Sequence, residues 1–140
     1  MPNNRKCNRT KKGIPDTPNY SFVTMANIDQ YLHHESIQYV DIRETNELFV
    51  QGCIETFEII PFYTGLVGTN IVAYKDDFVF TPEVIINQRA LEKLFDKNKT
   101  IFLICRSGRR SGYLKDVLSF IGYNAFNIGG IIEYKKQNTK

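Results

Sequence analysis

Residues 101–104 of this 140-residue chain read Ile-Phe-Leu-Ile, between Thr100 and Cys105. A strand with one wet face alternates apolar and polar side chains. This one does not, so it needs cover on both faces, as strands inside a parallel sheet have. The chain then changes character at once. "RSGRRS" places Arg106, Arg109 and Arg110 within five residues, and Leu114, Val117, Leu118 and Ile121 follow at i, i+3, i+4 and i+7. That is one apolar helical stripe, closed by Gly122. A buried strand, a tight basic loop and a helix, in that order, constrain the fold more than any other stretch. They require an open α/β sheet, in which ligands bind beyond the carboxyl ends of the strands.

The flanking sequence continues the alternation. "VTMANIDQYL" sets Ile28, Tyr31 and Leu32 on one helical face, with Thr24 as N-cap. "IQYVDI" (37–42) reads as a second buried strand. "CIETFEIIPF" alternates and then stops at Pro61. "TPEVIINQRALEKLF" predicts a helix with Thr81 as cap, Pro82 at the first position and Val84, Leu91, Leu94 and Phe95 on its buried side. "NAFNIGG" is a last short strand and "IIEYKK" a final helical turn. Residues 63–80 fit least well and predict either a hairpin about Lys75–Asp77 or an irregular excursion. The expected fold class is α/β, a central parallel sheet with helices on both faces.

Composition narrows the function classes. At 42% hydrophobic, the chain can bury a single core without disulfides. It has no run of 18 apolar residues that would span a membrane. Three cysteines, Cys7, Cys53 and Cys105, are an odd number without metal-type spacing. They indicate neither a disulfide framework nor a zinc site, and a reducing cytoplasm is the expected location. "HHE" at 33–35 is a poor metal site, because adjacent helical residues point about 100° apart. P-loop, dinucleotide-glycine and serine-triad signatures are missing. The net charge of +3 belongs to the first twenty residues, where Arg5, Lys6, Arg9, Lys11 and Lys12 face only Asp16. Residues 1–20 therefore read as a basic, disordered tail without the apolar core of a secretory signal. Residues 21–140 read as one near-neutral domain with no nucleic-acid surface. A weak contact of the tail with nucleic acid or an acidic partner is the alternative.

The loop carries the chemistry. A free cysteine is only a few per cent thiolate at neutral pH. Arg106, Arg109 and Arg110 supply cationic charge that does not titrate away. A helix beginning near Ser111 adds a positive dipole end and unpaired N–H groups. Ser107 and Gly108 let the backbone curl into an anion nest. Together these parts would keep Cys105 ionised and hold a small oxyanion beside it. The plainer alternative is a buried cysteine at a strand end beside an exposed basic turn.

"CRSGRRS" resembles the active-site loop of the rhodanese-like sulfurtransferases, whose short bacterial members commonly show Cys-Arg-Ser-Gly-x-Arg-Ser. "YVDIRETNELFVQGCIETFEIIPF" is similar to the family's earlier block of Asp-x-Arg, Glu, Gly-His-Ile-Pro-Gly-Ala and Ile-Pro. "GYNAFNIGGIIEY" resembles its closing block, with Tyr134 in place of a Trp. The three blocks extend over about residues 24–135. The resemblance implies a rhodanese fold and a persulfide mechanism without metal or organic cofactor. Cys105 would attack the outer sulfur of thiosulfate or a related donor, then pass it to cyanide or to a thiol or protein acceptor. Arg106 matches an oxyanion-binding position, and Arg110 should face the loop or its ligand. Arg109 sits at a variable position suited to steering anions inward. Ser107, Gly108 and Ser111 complete the substrate loop, and Ser111 reads equally as a helix cap. Asp41 and Arg43 end the neighbouring strand. Arg43 reads as an ion pair with Glu47, and Asp41 as an anchor for the loop or an adjacent N–H. Gly129 and Gly130 imply a tight turn.

The family's Gly-His-Ile-Pro-Gly-Ala appears here as "GCIETF", so Cys53, Thr56 and Phe57 replace His, Gly and Ala. Cys53 reads as a small half-buried hydrophobe or as a second thiol able to resolve a persulfide. Two further classes stand beside the sulfurtransferase. One is a cysteine-based phosphatase or arsenate reductase, whose Cys-x5-Arg loop is one residue longer than the spacing to Arg110. The other is a non-catalytic rhodanese-like binding module. Within the sulfurtransferases, Arg at the loop's second position resembles the thiosulfate type.

Overall fold

The computed structural model describes residues 17–135; most of the basic tail, through residue 16, lies outside them. Four parallel strands, β1 (Ile37–Asp41), β2 (Glu58–Ile59), β3 (Thr100–Cys105) and β4 (Ala125–Gly130), form one sheet in the order β2-β1-β3-β4. Three α-helices accompany them: α1 (Thr45–Gln51), α2 (Gln88–Leu94) and α3 (Arg109–Phe120).

All six residues of β3 are buried. Its odd positions, Ile101, Leu103 and Cys105, join Val40, Ile42, Leu91, Leu114, Val117 and Leu118 in a core on the α2–α3 side. Its even positions, Phe102 and Ile104, join Ile37 and Tyr39 in a second core with Val23, Met25, Ile28, Phe57, Ile128 and Ile131. Both side-chain sets meet apolar partners, so polar alternation is lost. The second face is covered by 3-10 turns at Ile28–Tyr31 and Ile131–Glu133 and by connecting chain. Tyr134 ties these turns together by donating to Asp29 at 2.7 Å. Burial first, and this bond second, push the phenol up to about 12. Ordered packing begins before residue 21: Tyr20 meets Phe102 edge-on at 5.3 Å, and Asn124 Nδ2 donates to the Pro18 carbonyl at 2.8 Å.

Three expected elements differ. The helix over 23–32 shrinks to a 3-10 turn, preceded by a tight turn in which the Thr24 N–H donates to Asn27 Oδ1 and Thr24 Oγ1 accepts from the Ala26 N–H. The helix over 81–95 breaks in two. Thr81 precedes a 3-10 turn, Pro82–Val84, and α2 starts only after Asn87, whose side chain caps the Ala90 N–H at 3.0 Å. The break arises because Val84 and Ile86 hydrogen-bond to Ala73 and Ile71 across an antiparallel bridge, Val72↔Ile85. Leu94 consequently lies exposed, not on the buried side. Residues 63–80 combine both expectations. A π-helical turn, Phe62–Val67, leads to that bridge, and a hydrogen-bonded turn at 75–78 sits at the far end.

Asp41 and Arg43, both at 0% exposure, point to the same side of β1 and pair at 2.7 Å. Asp41 also accepts the Arg43 N–H at 3.1 Å, and Arg43 Nη2 donates to the Gly52 carbonyl at 2.7 Å. The partner of Arg43 is therefore Asp41 and not the expected Glu47, because the chain stays extended just past β1 and residues two apart then share a face. The same connection contains Thr56 at φ +89, the left-handed region that a β-branched residue occupies only under strain. Thr56 thus stands in a conformation that suits glycine.

Removing one half of a buried pair strands the other charge. Asp41→Asn should lower stability by about 3–5 kcal/mol in urea unfolding. Thr56→Gly should raise it by about 1 kcal/mol in the same assay, by relieving the left-handed strain.

Candidate functional site

β3 ends at Cys105, and the backbone turns so tightly that α3 starts four residues later. Gly108 makes the turn at φ +96, a conformation natural to glycine. The turn aims amides at the sulfur. Cys105 Sγ accepts from the Gly108 N–H at 3.0 Å and the Ser111 N–H at 3.4 Å, with Ser111 Oγ at 3.3 Å. α3 begins at Arg109, two residues before the expected start, so Ser111 is not a cap; it is a buried residue of the first turn facing the thiol.

The loop rests on β4. The β3–β4 register slips after Leu103↔Asn127, which brings Gly130 opposite Cys105. A side chain at 130 would overlap the Arg106 carbonyl oxygen and Ser107 Cα. Gly130 thus serves a close approach of backbones where a tight turn was expected, and the Ile132 N–H holds the Arg106 carbonyl at 3.2 Å.

The three arginines divide. Arg110 makes a two-pronged bond to Glu47, Nη1 to Oε2 at 2.9 Å and Nη2 to Oε1 at 2.8 Å, and lies 5.5 Å over the Tyr63 ring. The Arg110 bonds hold the Glu47 carboxyl below its ordinary range, against an opposing effect of burial. Arg109 donates to the Asp76 carbonyl at 3.0 Å and stacks 4.7 Å over Phe78. Arg106 is exposed and has no ion pair among the described residues. With Ser107, also exposed, it forms the rim above a sulfur at 0% exposure. Cys53 is exposed on the connection after α1 rather than half-buried. No group of His, Cys, Asp and Glu able to hold a metal occurs among the described residues.

Several contributors carried no clear sequence signal. Asn127 accepts from Ser111 Oγ at 2.6 Å and donates to the Gly108 carbonyl at 2.9 Å. Its only mark was a place two residues before the paired glycines. Glu44 accepts from the Tyr63 and Thr64 N–H groups at 2.7 and 3.2 Å, pinning the π-helical turn beneath Arg110. Such contacts, sixteen or more residues apart, leave no local pattern.

Fold and loop together define a class: a parallel α/β domain presenting a thiol to amide N–H groups beyond the end of a buried strand. The model of the rhodanese-like domain matches residues 24–137, and the chain belongs to that family. A rhodanese-like domain protein from Staphylococcus aureus is similar in structure, with a TM-score of 0.55 and 22% identity over 84% of this chain and 94% of that one. A protein of Staphylococcus saprophyticus gives 0.52 and 24% over 81% and 90%. At these identities the likeness is one of fold. No curated protein matches. No helix among the described residues is long and apolar enough to cross a membrane.

The Gly130 contact gives a direct test. Gly130→Ala should force the loop off β4, costing about 1–3 kcal/mol in thermal unfolding. It should also expose Cys105, seen as faster maleimide labelling of its peptide.

Proposed function

We propose that the protein is a sulfurtransferase that carries sulfane sulfur on Cys105. The observation that supports this most is the cradle of Gly108 and Ser111 N–H groups around Sγ, in a chain of the rhodanese-like family. Amide dipoles fixed in place stabilise negative charge on sulfur without reorganising. The Cys105 thiolate attacks the outer sulfur of thiosulfate. A new Sγ–S bond forms, the donor's S–S bond breaks, and sulfite leaves with the electron pair. Cyanide, or a thiol or protein acceptor in a reducing cytoplasm, then takes the outer sulfur and returns the thiolate.

Arg106, exposed at the rim, is the residue we assign to the donor's sulfonate end. Arg110 acts through Glu47 to hold the loop, and Arg109 holds the 63–80 excursion against α3. That excursion stands beside the loop and is the segment to which we assign acceptor choice. A phosphoryl-transfer reading is less well supported, because both outer nitrogens of Arg110 are engaged by Glu47.

Incubation with thiosulfate should raise the intact mass by one sulfur in the native chain and not in Cys105→Ser, and cyanide should remove it. A native chain with a reduced Cys105 that gains no sulfur from thiosulfate or polysulfide would overturn the proposal.

A further inference from the structure

The hydrogen-bond pattern behind the thiol contains a choice that the sulfur-transfer chemistry does not by itself specify. The Gly108 carbonyl can only accept, so the Asn127 atom facing it at 2.9 Å is the amide nitrogen. That fixes Asn127 Oδ1 toward Ser111, where it too can only accept. Gly112 leaves room for this arrangement, since a Cβ there would crowd Asn127 Nδ2 at 3.1 Å. Ser111 has a single hydroxyl proton and two neighbours, Asn127 Oδ1 at 2.6 Å and Cys105 Sγ at 3.3 Å. The short bond to the amide oxygen takes the proton. Ser111 Oγ then presents lone pairs to the sulfur.

Lone pairs suit a thiol, whose S–H can donate to them, and repel a thiolate, which has nothing to donate. For Cys105 to lose its proton to solvent and remain ionised, the Ser111 hydroxyl must swing from Asn127 to the sulfur. We infer that Asn127 is a positioning residue that sets the direction of the Ser111 hydroxyl and so restrains formation of the reactive thiolate. Once a sulfur is bound to Sγ, the charge moves to the outer atom and the hydroxyl returns to Asn127. Asn127 thus favours the resting thiol and the loaded form over the bare thiolate between them. The inference rests on the reading of Cys105 as the reacting group.

Alkylation of Cys105 by iodoacetamide at neutral pH tests this without requiring sulfur transfer. Peptide mass mapping separates it from alkylation of Cys53 and Cys7. Asn127→Ala should alkylate about three- to tenfold faster than the native chain, because the freed hydroxyl turns to the sulfur; RT-scale bond differences of this kind give such factors. In Ser111→Ala the same change at 127 should have no effect. Asn127→Asp keeps an acceptor for Ser111 while losing the bond to Gly108, and should alkylate no faster than the native chain. Equal acceleration by Asn127→Ala with or without the hydroxyl, or Asn127→Asp as fast as Asn127→Ala, would mean that Asn127 merely closes the loop. Either result overturns the inference. Failure of the sulfurtransferase reading would show separately, as a native chain that gains no sulfur mass whatever these rates are.

Discussion

The geometry around the thiol depends on one close approach: the backbone of residues 106–107 lying on Gly130 of the edge strand. A bulge in the β3–β4 pairing puts Gly130 opposite Cys105, and the missing side chain lets the departing chain pass there. This contact sets the direction in which the polypeptide leaves β3. It therefore sets where the Gly108 and Ser111 N–H groups end up relative to Sγ. The donors that define the site are mostly main-chain groups, so their placement is a property of the fold rather than of any rotamer.

Legibility in the sequence followed burial. β3 and the stripe of α3 were readable because a strand covered on both faces loses alternation and a helix covered on one face keeps its period. The position of Cys105 at the strand end followed directly. The ion pairs did not. Asp41, Arg43, Glu47 and Arg110 were all recognisable as site residues, yet their pairing was settled by strand parity and by contact across sixty-three residues. The helix over 81–95 failed for a similar reason. Its apolar period was real, but Val84 and Ile86 bond to the chain at 71–73, and that tertiary bridge prevailed over local propensity. Asn127 was invisible because nothing local distinguishes an amide that completes a loop from one that faces water.

The density of arginine in the loop also means something different in three dimensions. Two of the three guanidiniums are spent on holding neighbouring segments: Arg110 fastens α1, and Arg109 fastens the excursion over 63–80. Each rests on an aromatic ring of the segment between β2 and α2, so that segment is built into the wall of the loop. Among the described residues, Arg106 is left as the loop arginine without an ion pair or a ring beneath it, beside the amide cradle.

Cys105 belongs to two environments at once. Its sulfur faces the loop, yet the residue belongs to the same buried apolar cluster as Val40, Leu103, Tyr113 and Leu114 and has no exposed surface. An interior at native density has no vacant space for another heavy atom. Any atom added to Sγ, whatever its source, must therefore be accommodated by the loop, because the sheet and α3 close the other directions. Loading of this thiol would in that sense also be a mechanical event: residues 106–108 would have to enclose more volume, and the rim would register what the sulfur carries.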